Sequence, residues 1–155
     1  MIGNDLVDLQ HASRESNWMR RGFLHKLFSK QEQQYIMLAT KPSEMVWLLW
    51  SMKEAAYKIY NRQSGVREFA PHKLRCKLSS VETAEYHGEV QINGCAYVTR
   101  SEIKSGDYVH SIASQVPPNL DGLNLCMYPL TAGIDYKAMA PLSVSHHGRY
   151  LALIF

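Results

Sequence analysis

The sequence has few of the features that mark secreted, membrane-spanning or metal-stapled proteins. It contains three cysteines in 155 residues and no C-x-x-C pair, so neither a disulfide framework nor a structural zinc site is expected, and a reducing compartment fits. No apolar run approaches the roughly 20 residues that a membrane-spanning helix needs. The N-terminal stretch MIGNDLVDLQ lacks the basic start and apolar core of a signal peptide. We therefore expect a cytoplasmic protein with no membrane contact.

Repeats, low-complexity tracts and linkers are also missing from the sequence, and charge of neither sign dominates. Lys and Arg number 17 against 14 Asp and Glu, for a formal net charge of +3. Hydrophobic residues make up 46% of the chain and charged residues 20%, which is the balance of an ordinary globular protein. A chain of 155 residues can bury a sizeable core, so we expect one domain over residues 1–155.

The first quarter of the chain has the pattern of one strand followed by short helices. IGNDLVDLQ alternates in part and predicts a strand over residues 2–9. Residues 11–39 predict helical segments with a break at Gly22. Ser29 stands three residues before Glu32, which is the spacing of a capping box at a helix start.

A longer helix is predicted over residues 44–62, EMVWLLWSMKEAAYKIYNR. Ser43 is expected to cap its start, and Gly65 to end it in the left-handed conformation. On a helical wheel of about 100° per residue, the apolar arc that would pack on a sheet consists of Leu48, Met52, Ala55, Ala56 and Ile59. A second, polar arc consists of Ser51, Glu54, Lys58 and Arg62, while Lys53 lies off it. This polar side can face a cleft, or Glu54 and Lys58 can form a solvated i, i+4 ion pair that contributes about 0.2–0.5 kcal/mol.

Beyond residue 72 the pattern changes to the alternation typical of strands. KLRCKLSSVE alternates, and EVQINGCAYVTR carries Asn93-Gly94 between two alternating arms, which is a strong hairpin signal. DYVHSIASQV predicts another strand, PPNLDG a loop, and LSVSHHGRYLALIF an apolar strand interrupted by a polar turn. Residues 120–142 receive no assignment. One strand, then helices, then several strands predict an α+β domain.

Asp5 can add a second carboxylate to the predicted cleft. It stands in the first predicted strand and can meet Glu54 from the neighbouring helix. Two carboxylates with a few waters are what Mg²⁺ prefers, usually completed by substrate phosphates. The alternative is that Asp5 or Asp8 caps a turn.

SVSHHGRY, residues 143–150, is a polar interruption in an otherwise apolar segment. Its hydroxyl, imidazole and guanidinium groups together suit a phosphate. The alternative is an ordinary polar turn, particularly for His147.

In this order, GND, WSMKEAAYK and SVSHHG resemble the motifs of the 4'-phosphopantetheinyl transferase superfamily. The family pattern is G-x-D near an early strand, W/F-[S/T/C]-x-K-E-[A/S]-x-x-K on a helix, and an S-x-S-H element. Here S-x-S-H follows K-E-A, as in the short holo-acyl-carrier-protein synthase type, whereas WS and SGVREFAPHKL are similar to the long two-lobed type. The resemblance covers residues 1–75 and the last 15. Asn4 and Leu6 flank Asp5, so the further carboxylate of the long type has no match.

The resemblance implies a fold and a reaction. The fold is a single lobe in which an antiparallel-rich sheet packs against a long helix. The reaction moves the phosphopantetheine arm of coenzyme A to a serine of an acyl or peptidyl carrier protein, as in fatty acid biosynthesis. It uses Mg²⁺ and releases adenosine 3',5'-bisphosphate. The alternative is a non-catalytic module that binds coenzyme A or a carrier protein.

The resemblance also implies roles for individual residues. Asp5 and Glu54 match the metal ligands, and Glu54 and Lys58 match the catalytic residues. The side chains that match coenzyme A-binding residues are Lys53, Lys58, Ser145 and His146. The general base stays open between Glu54 and a metal-bound water.

A basic segment near the N-terminus is the candidate docking surface for the carrier protein. Its cations are Arg14, Arg20, Arg21 and Lys26, with Glu15 as the acid among them. Carrier proteins are acidic, and the family docks them on its early helices; a solvated basic helix or a nonspecific phosphate-binding patch are the alternatives. Trp18 and Phe23 are too few aromatics for a nucleic-acid surface, so no nucleic-acid partner is expected. Analogy with the short type implies a homo-oligomer, with a trimer favoured.

Overall fold

The computed structural model describes residues 1–115 and 120–155. Its α-helices are α1 (Leu9–Glu15), α2 (Phe23–Leu27), α3 (Lys30–Leu38) and α4 (Pro42–Ser64). Its strands are β1 (Ile2–Asp8), β2 (Arg75–Glu82), β3 (Glu85–Ile92), β4 (Cys95–Lys104), β5 (Tyr108–Ser114), β6 (Leu125–Pro129), β7 (Ser143–His147) and β8 (Tyr150–Ile154). The prediction of an α+β domain is confirmed, and the first strand ends one residue earlier than predicted.

Two antiparallel sheets meet beside β1. The larger sheet has the strand order β1-β5-β4-β3-β2, and the smaller has the order β6-β8-β7. The main core lies between the larger sheet and α4. A small cluster of Ile2, Ile112 and Ile154 packs where the two sheets adjoin. The antiparallel sheet on a long helix is the architecture that the resemblance implied.

The long helix α4 buries the apolar arc that the wheel assigned to it. Leu48, Met52, Ala55, Ala56 and Ile59 are all fully buried. Ser43 does not cap the helix, contrary to the prediction. The N-cap is Lys41, and Pro42 takes the first helical position, because its fixed φ suits a helix start and no amide hydrogen is needed there. Gly65 ends the helix in the left-handed conformation, as predicted, with φ 72°.

Gly3 allows α4 to lie directly against β1. A Cβ atom at this position would stand 2.1 Å from the carbonyl oxygen of Ala55. Since real Cβ contacts never approach this distance, any larger residue would push the helix away from the strand. Gly3 thereby sets the separation between Asp5 on β1 and the polar side of α4.

The local capping and turn signals are also present. Ser29 and Glu32 form the predicted capping box at the start of α3. Asn93 and Gly94 join β3 to β4 with φ values of 48° and 82°, as a type I′ turn requires. Part of PPNLDG falls outside the described residues, and Leu120–Gly122 forms a 3₁₀ turn.

Among the described helices, none has both the length and the apolar character to cross a membrane.

Candidate functional site

A cleft of about 420 Å³ opens between β1, α1, α4 and the β7–β8 hairpin. Its polar lining includes Asp5, Glu54, Lys58, Ser145 and His146, together with Glu15, Ser16 and His147 at the end of α1 and on β7. Its apolar wall consists of Leu6, Val7, Ala12, Trp47, Trp50 and Val144. The fold therefore brings three separate segments of the sequence to one site. Trp47 is a lining residue that the sequence analysis did not single out.

The polar side of α4 is covered by β1 rather than by water. Three of its side chains donate hydrogen bonds to backbone carbonyl oxygens of the strand. The pairs are Ser51 with Asp5 (3.2 Å), Lys58 with Asn4 (2.8 Å) and Arg62 with Ile2 (2.9 Å). Glu54, the fourth residue of this side, faces the cleft.

Lys58 pairs with Asp5 across the wall of the cleft. Its Nζ lies 3.0 Å from Asp5 Oδ1, and the two side chains are 27% and 11% exposed. The sequence had left open an i, i+4 pair between Glu54 and Lys58 on a solvated face. The observed pair joins α4 to β1 instead, so the lysine is held at the site.

Glu54 is a half-buried carboxylate close to a second one. Burial, and then the negative charge of Asp5, raise the pKa of Glu54 to about 7, and Lys58 only partly opposes this. A carboxylate at this place is therefore costly to ionise near neutral pH without a further cation. Two oxygen-donor carboxylates that repel each other are a donor set that suits a hard divalent ion such as Mg²⁺.

The SVSHH segment meets the free edge of β1 through side chains. Alternate amide groups of β1, at residues 4, 6 and 8, donate to alternate side chains of β7. These three rungs run to Ser143 Oγ (3.0 Å), Ser145 Oγ (3.1 Å) and His147 Nδ1 (2.9 Å). The period of two in S-x-S-x-H was the sequence signal for this ladder, which replaces backbone pairing between the two sheets.

His146 occupies the alternate position on β7 and is exposed at the cleft. Its neighbours Ser145 and His147 accept hydrogen bonds from amide groups of β1, through Oγ and Nδ1 respectively. His146 is thus a side chain of this motif whose polar group is available to a ligand in the cleft.

The comparison with protein families agrees with this arrangement. The model of the 4'-phosphopantetheinyl transferase superfamily matches residues 1–113 of the 155. The chain belongs to this superfamily. The match includes Asp5, Glu54 and Lys58, whereas the SVSHH segment lies beyond it. A search of curated proteins finds no significant match.

Lys53 belongs to the transferase motif but lies outside the cleft. Lys53 is fully buried, and its Nζ lies 2.8 Å from Glu32 Oε2. The same ammonium donates to the carbonyl oxygens of Leu27 and Pro71 and lies over the Phe28 ring. Because its ammonium is fully buried in the core and does not line the cleft, Lys53 cannot reach a ligand there, and the expectation that it binds coenzyme A is corrected.

Asp8 and Arg149 also have structural partners. Asp8 caps α1 by accepting from the amides of Gln10 and His11, so the alternative of a turn-capping aspartate holds for this residue. Arg149 Nε donates to Asp8 Oδ2 at 2.8 Å. Burial raises the pKa of Asp8, but the hydrogen bonds from Arg149 outweigh it and hold that pKa well below its usual range. The side chain of Arg149 therefore joins the β7–β8 hairpin to the end of β1 through Asp8.

His11, Glu15 and His147 cluster at the rim of the transferase cleft. His11 Nε2 lies 3.0 Å from Glu15, and His147 Nε2 lies 3.7 Å from the same carboxylate. His147 Nδ1 accepts from the Asp8 amide, so the neutral ring carries its proton on Nε2, and burial followed by His11 lowers its pKa. A protonated nitrogen cannot ligate a metal, so we interpret the trio as a cluster held by the His11–Glu15 contact and by the edge-on contact of the two imidazole rings.

The four cations of the candidate docking surface lie on and beyond α1. They are Arg14, Arg20, Arg21 and Lys26, and all are exposed. Arg20 stacks its guanidinium over the Phe23 ring, 5.4 Å from the ring centroid. Arg14 lies on α1, which forms one wall of the cleft, and the other three cations lie in the segment that follows this helix.

Proposed function

We propose that this chain is a holo-acyl-carrier-protein synthase-type transferase. It moves the 4'-phosphopantetheine arm of coenzyme A to a serine hydroxyl of an acyl or peptidyl carrier protein and releases adenosine 3',5'-bisphosphate. The observation that carries this proposal is the convergence of Asp5, Glu54 and Lys58 in one cleft of a superfamily member. Their chemistry suits an attack on a pyrophosphate, where negative charge has to be neutralised.

Asp5 and Glu54 are the residues that would hold Mg²⁺. When bound, this ion supplies charge neutralisation for the pyrophosphate and for the leaving phosphate. The raised pKa of Glu54, about 7, supports this assignment, because burial and the neighbouring charge of Asp5 both disfavour the ionised carboxylate when no cation is bound. Mg²⁺ commonly takes one or two protein carboxylates and completes its shell with waters and substrate phosphates.

Lys58 and Glu54 have complementary roles in this proposal. The Lys58 ammonium contributes a point charge at the wall of the cleft, beside the carboxylate of Asp5. Glu54 is the candidate among these side chains to accept the proton of the attacking serine. His146 would contact the nucleotide end of the donor, including its 3'-phosphate.

The decisive experiment is mass spectrometry of an apo carrier protein incubated with this chain, coenzyme A and Mg²⁺. We expect a gain of one phosphopantetheine group per carrier and an equal amount of adenosine 3',5'-bisphosphate. The matched controls are a carrier whose acceptor serine is alanine and the variant Glu54→Gln. Coenzyme A binding without any mass gain would contradict transfer and support the non-catalytic module.

The assembly state is a separate part of the proposal. By analogy with the short type, one lobe of this size is expected to complete its donor site against a second copy, in a homo-oligomer for which a trimer is favoured. Sedimentation velocity combined with activity measured across a dilution series tests this. A monomer that keeps full activity at low concentration would contradict it.

A further inference from the structure

The hydroxyl of Ser145 is fully used inside the protein. Its Oγ accepts from the Leu6 amide at 3.1 Å and from Lys58 Nζ at 3.3 Å, and it donates to Asp5 Oδ1 at 3.3 Å. A serine hydroxyl has one donor and two acceptor lone pairs. All three are engaged, and the residue is only 5% exposed, so this hydroxyl has no capacity left for a phosphate.

The other two side chains of β7 that accept from β1, Ser143 and His147, do not contact Asp5 or Lys58. Ser143 Oγ accepts from the Asn4 amide at 3.0 Å and donates to Asn4 Oδ1 at 2.7 Å, so its contacts end within one buried residue. His147 ends at the Asp8 amide and the rim cluster. Within the described part of the chain, Ser145 is the rung that touches both Asp5 and Lys58.

Ser145 and Lys58 bind the same oxygen of Asp5. Both contacts are made to Oδ1, at 3.3 and 3.0 Å. Over residues 1–115 and 120–155, the structure has no hydrogen bond to Oδ2. The pair therefore fixes the rotation of the carboxylate and leaves its second oxygen for a ligand in the cleft.

We propose that Ser145 is a positioning residue for Asp5 and Lys58 and not a contact of the nucleotide. This inference rests on the proposed function for the metal and the donor, and it departs from the role that the family resemblance implied for Ser145. His146 is then the residue of the SVSHH segment that contacts the nucleotide end of coenzyme A. The hydroxyl acts through the carboxylate and the ammonium, so its loss lowers metal affinity rather than donor affinity.

The test compares Ser145→Ala with Ser143→Ala in the full chain. Ser143→Ala is the matched control, since it removes a rung without touching Asp5 or Lys58. Mn²⁺ binding, measured by electron paramagnetic resonance without coenzyme A, gives a readout independent of turnover. Steady-state kinetics then give the Mg²⁺ concentration for half-maximal rate and the preference for coenzyme A over 3'-dephospho-coenzyme A.

We expect Ser145→Ala to weaken Mn²⁺ binding and to raise the Mg²⁺ midpoint about tenfold relative to Ser143→Ala, the loss typical of a hydrogen bond to a charged group. The preference for the 3'-phosphorylated donor should stay unchanged. Ser145→Thr, which keeps the hydroxyl, should recover most of the Mn²⁺ affinity. If Ser145→Ala does not fold, Ser145→Cys provides the comparison, since a thiol keeps the shape but is a weak hydrogen-bonding group.

Two results would overturn the inference. One is a loss of the 3'-phosphate preference in Ser145→Ala with Mn²⁺ binding equal to that of Ser143→Ala, which would make Ser145 a nucleotide contact. The other is equality of the two variants in every readout. Mn²⁺ binding without transfer to any carrier would instead overturn only the proposed reaction, whereas a wild type that binds no Mn²⁺ would overturn the metal site and this inference together.

Discussion

Lys53 and Lys58 are five residues apart on α4 and end in opposite environments. Lys53 Nζ is fully buried 2.8 Å from Glu32, and Lys58 Nζ lies 3.0 Å from Asp5 at the cleft. Five residues turn an α-helix by about 140° beyond one full turn, so the two ammonium groups leave the helix on different sides. The transferase motif therefore supplies one lysine to the fold and one to the site.

The first prediction separates these two lysines. Lys53→Met should destabilise the chain by about 3–5 kcal/mol, because it leaves Glu32 as an uncompensated buried charge. Lys58→Met should cost far less stability, since Lys58 is partly exposed, but should abolish most of the transfer activity. Urea unfolding and the carrier modification assay measure the two effects.

A double variant provides the control for this first prediction. Lys53→Met with Glu32→Gln removes both buried charges and should recover part of the lost stability. Near-normal stability of the single Lys53→Met variant would contradict the structural role of this lysine.

The second prediction concerns the pH dependence of stability in metal-free buffer. The folded pKa of Glu54, about 7, lies above the ordinary value of 4.5. Only the folded state binds this proton between those values, so the contribution of Glu54 to stability is full below about pH 4.5 and is lost as the pH rises to about 7. Glu54→Gln removes this dependence, and its melting temperature should exceed that of wild type above pH 7.

The melting temperatures of wild type and Glu54→Gln, measured again with Mg²⁺, distinguish a metal ligand from a carboxylate whose pKa is raised only by its surroundings. At pH 8 the metal should raise the melting temperature of wild type and leave that of Glu54→Gln nearly unchanged. An equal rise in both proteins would place the metal elsewhere.

The third prediction concerns the docking surface. Arg14→Glu with Arg21→Glu should raise KM for the carrier protein and leave KM for coenzyme A unchanged. The effect should shrink with added salt, because exposed charges are screened over about 10 Å at 0.1 M. Steady-state kinetics with each substrate varied in turn, at two salt concentrations, measure it.

The control for docking lies at the other edge of the larger sheet. Arg75 and Lys77 are both exposed on β2, the strand farthest from β1. Reversing both charges there changes the net charge by the same amount and should leave KM for the carrier near normal. If both double variants behaved alike, the effect would come from net charge rather than from a docking surface.

The fourth prediction concerns the nucleotide end of the donor. His146→Ala should weaken coenzyme A binding by about one to two orders of magnitude, as expected for a charge-assisted hydrogen bond. The chemistry occurs at the pyrophosphate, so KM should change more than kcat. The preference of wild type for coenzyme A over 3'-dephospho-coenzyme A should largely vanish in the variant.

His72→Ala is the matched control for the nucleotide contact, since His72 is exposed on a 3₁₀ turn and does not line the cleft. It should discriminate between the two donors as wild type does. Unchanged discrimination in His146→Ala would show that another group reads the 3'-phosphate.

Local patterns predicted most of the secondary structure because they describe contacts between near neighbours in sequence. The capping box of Ser29 and Glu32, the turn at Asn93-Gly94 and the end of α4 at Gly65 all depend on a few adjacent residues. The start of α4 was predicted too late, because Ser43 is a favourable N-cap residue and Pro42 a favourable first helical residue. In the structure Pro42 is the first helical residue. The wheel was also right that Lys53 lies off the polar side, although the motif alone suggested a ligand contact.

What the sequence by itself determined is most of the elements, the α+β class and the presence of Asp5, Glu54 and Lys58 on the strand and the helix that meet. The strand β6 lies within residues 120–142, which received no assignment. What only the tertiary structure decided is the use of each polar group. Ser145 contacts Leu6 across 139 residues, and Asp8 contacts Arg149 across 141. Such partners are set by how β7 docks on β1, and the period of two in S-x-S-x-H does not identify the strand on which that segment docks. A hydroxyl or a guanidinium that looks available in the sequence can therefore be fully engaged once the chain is folded.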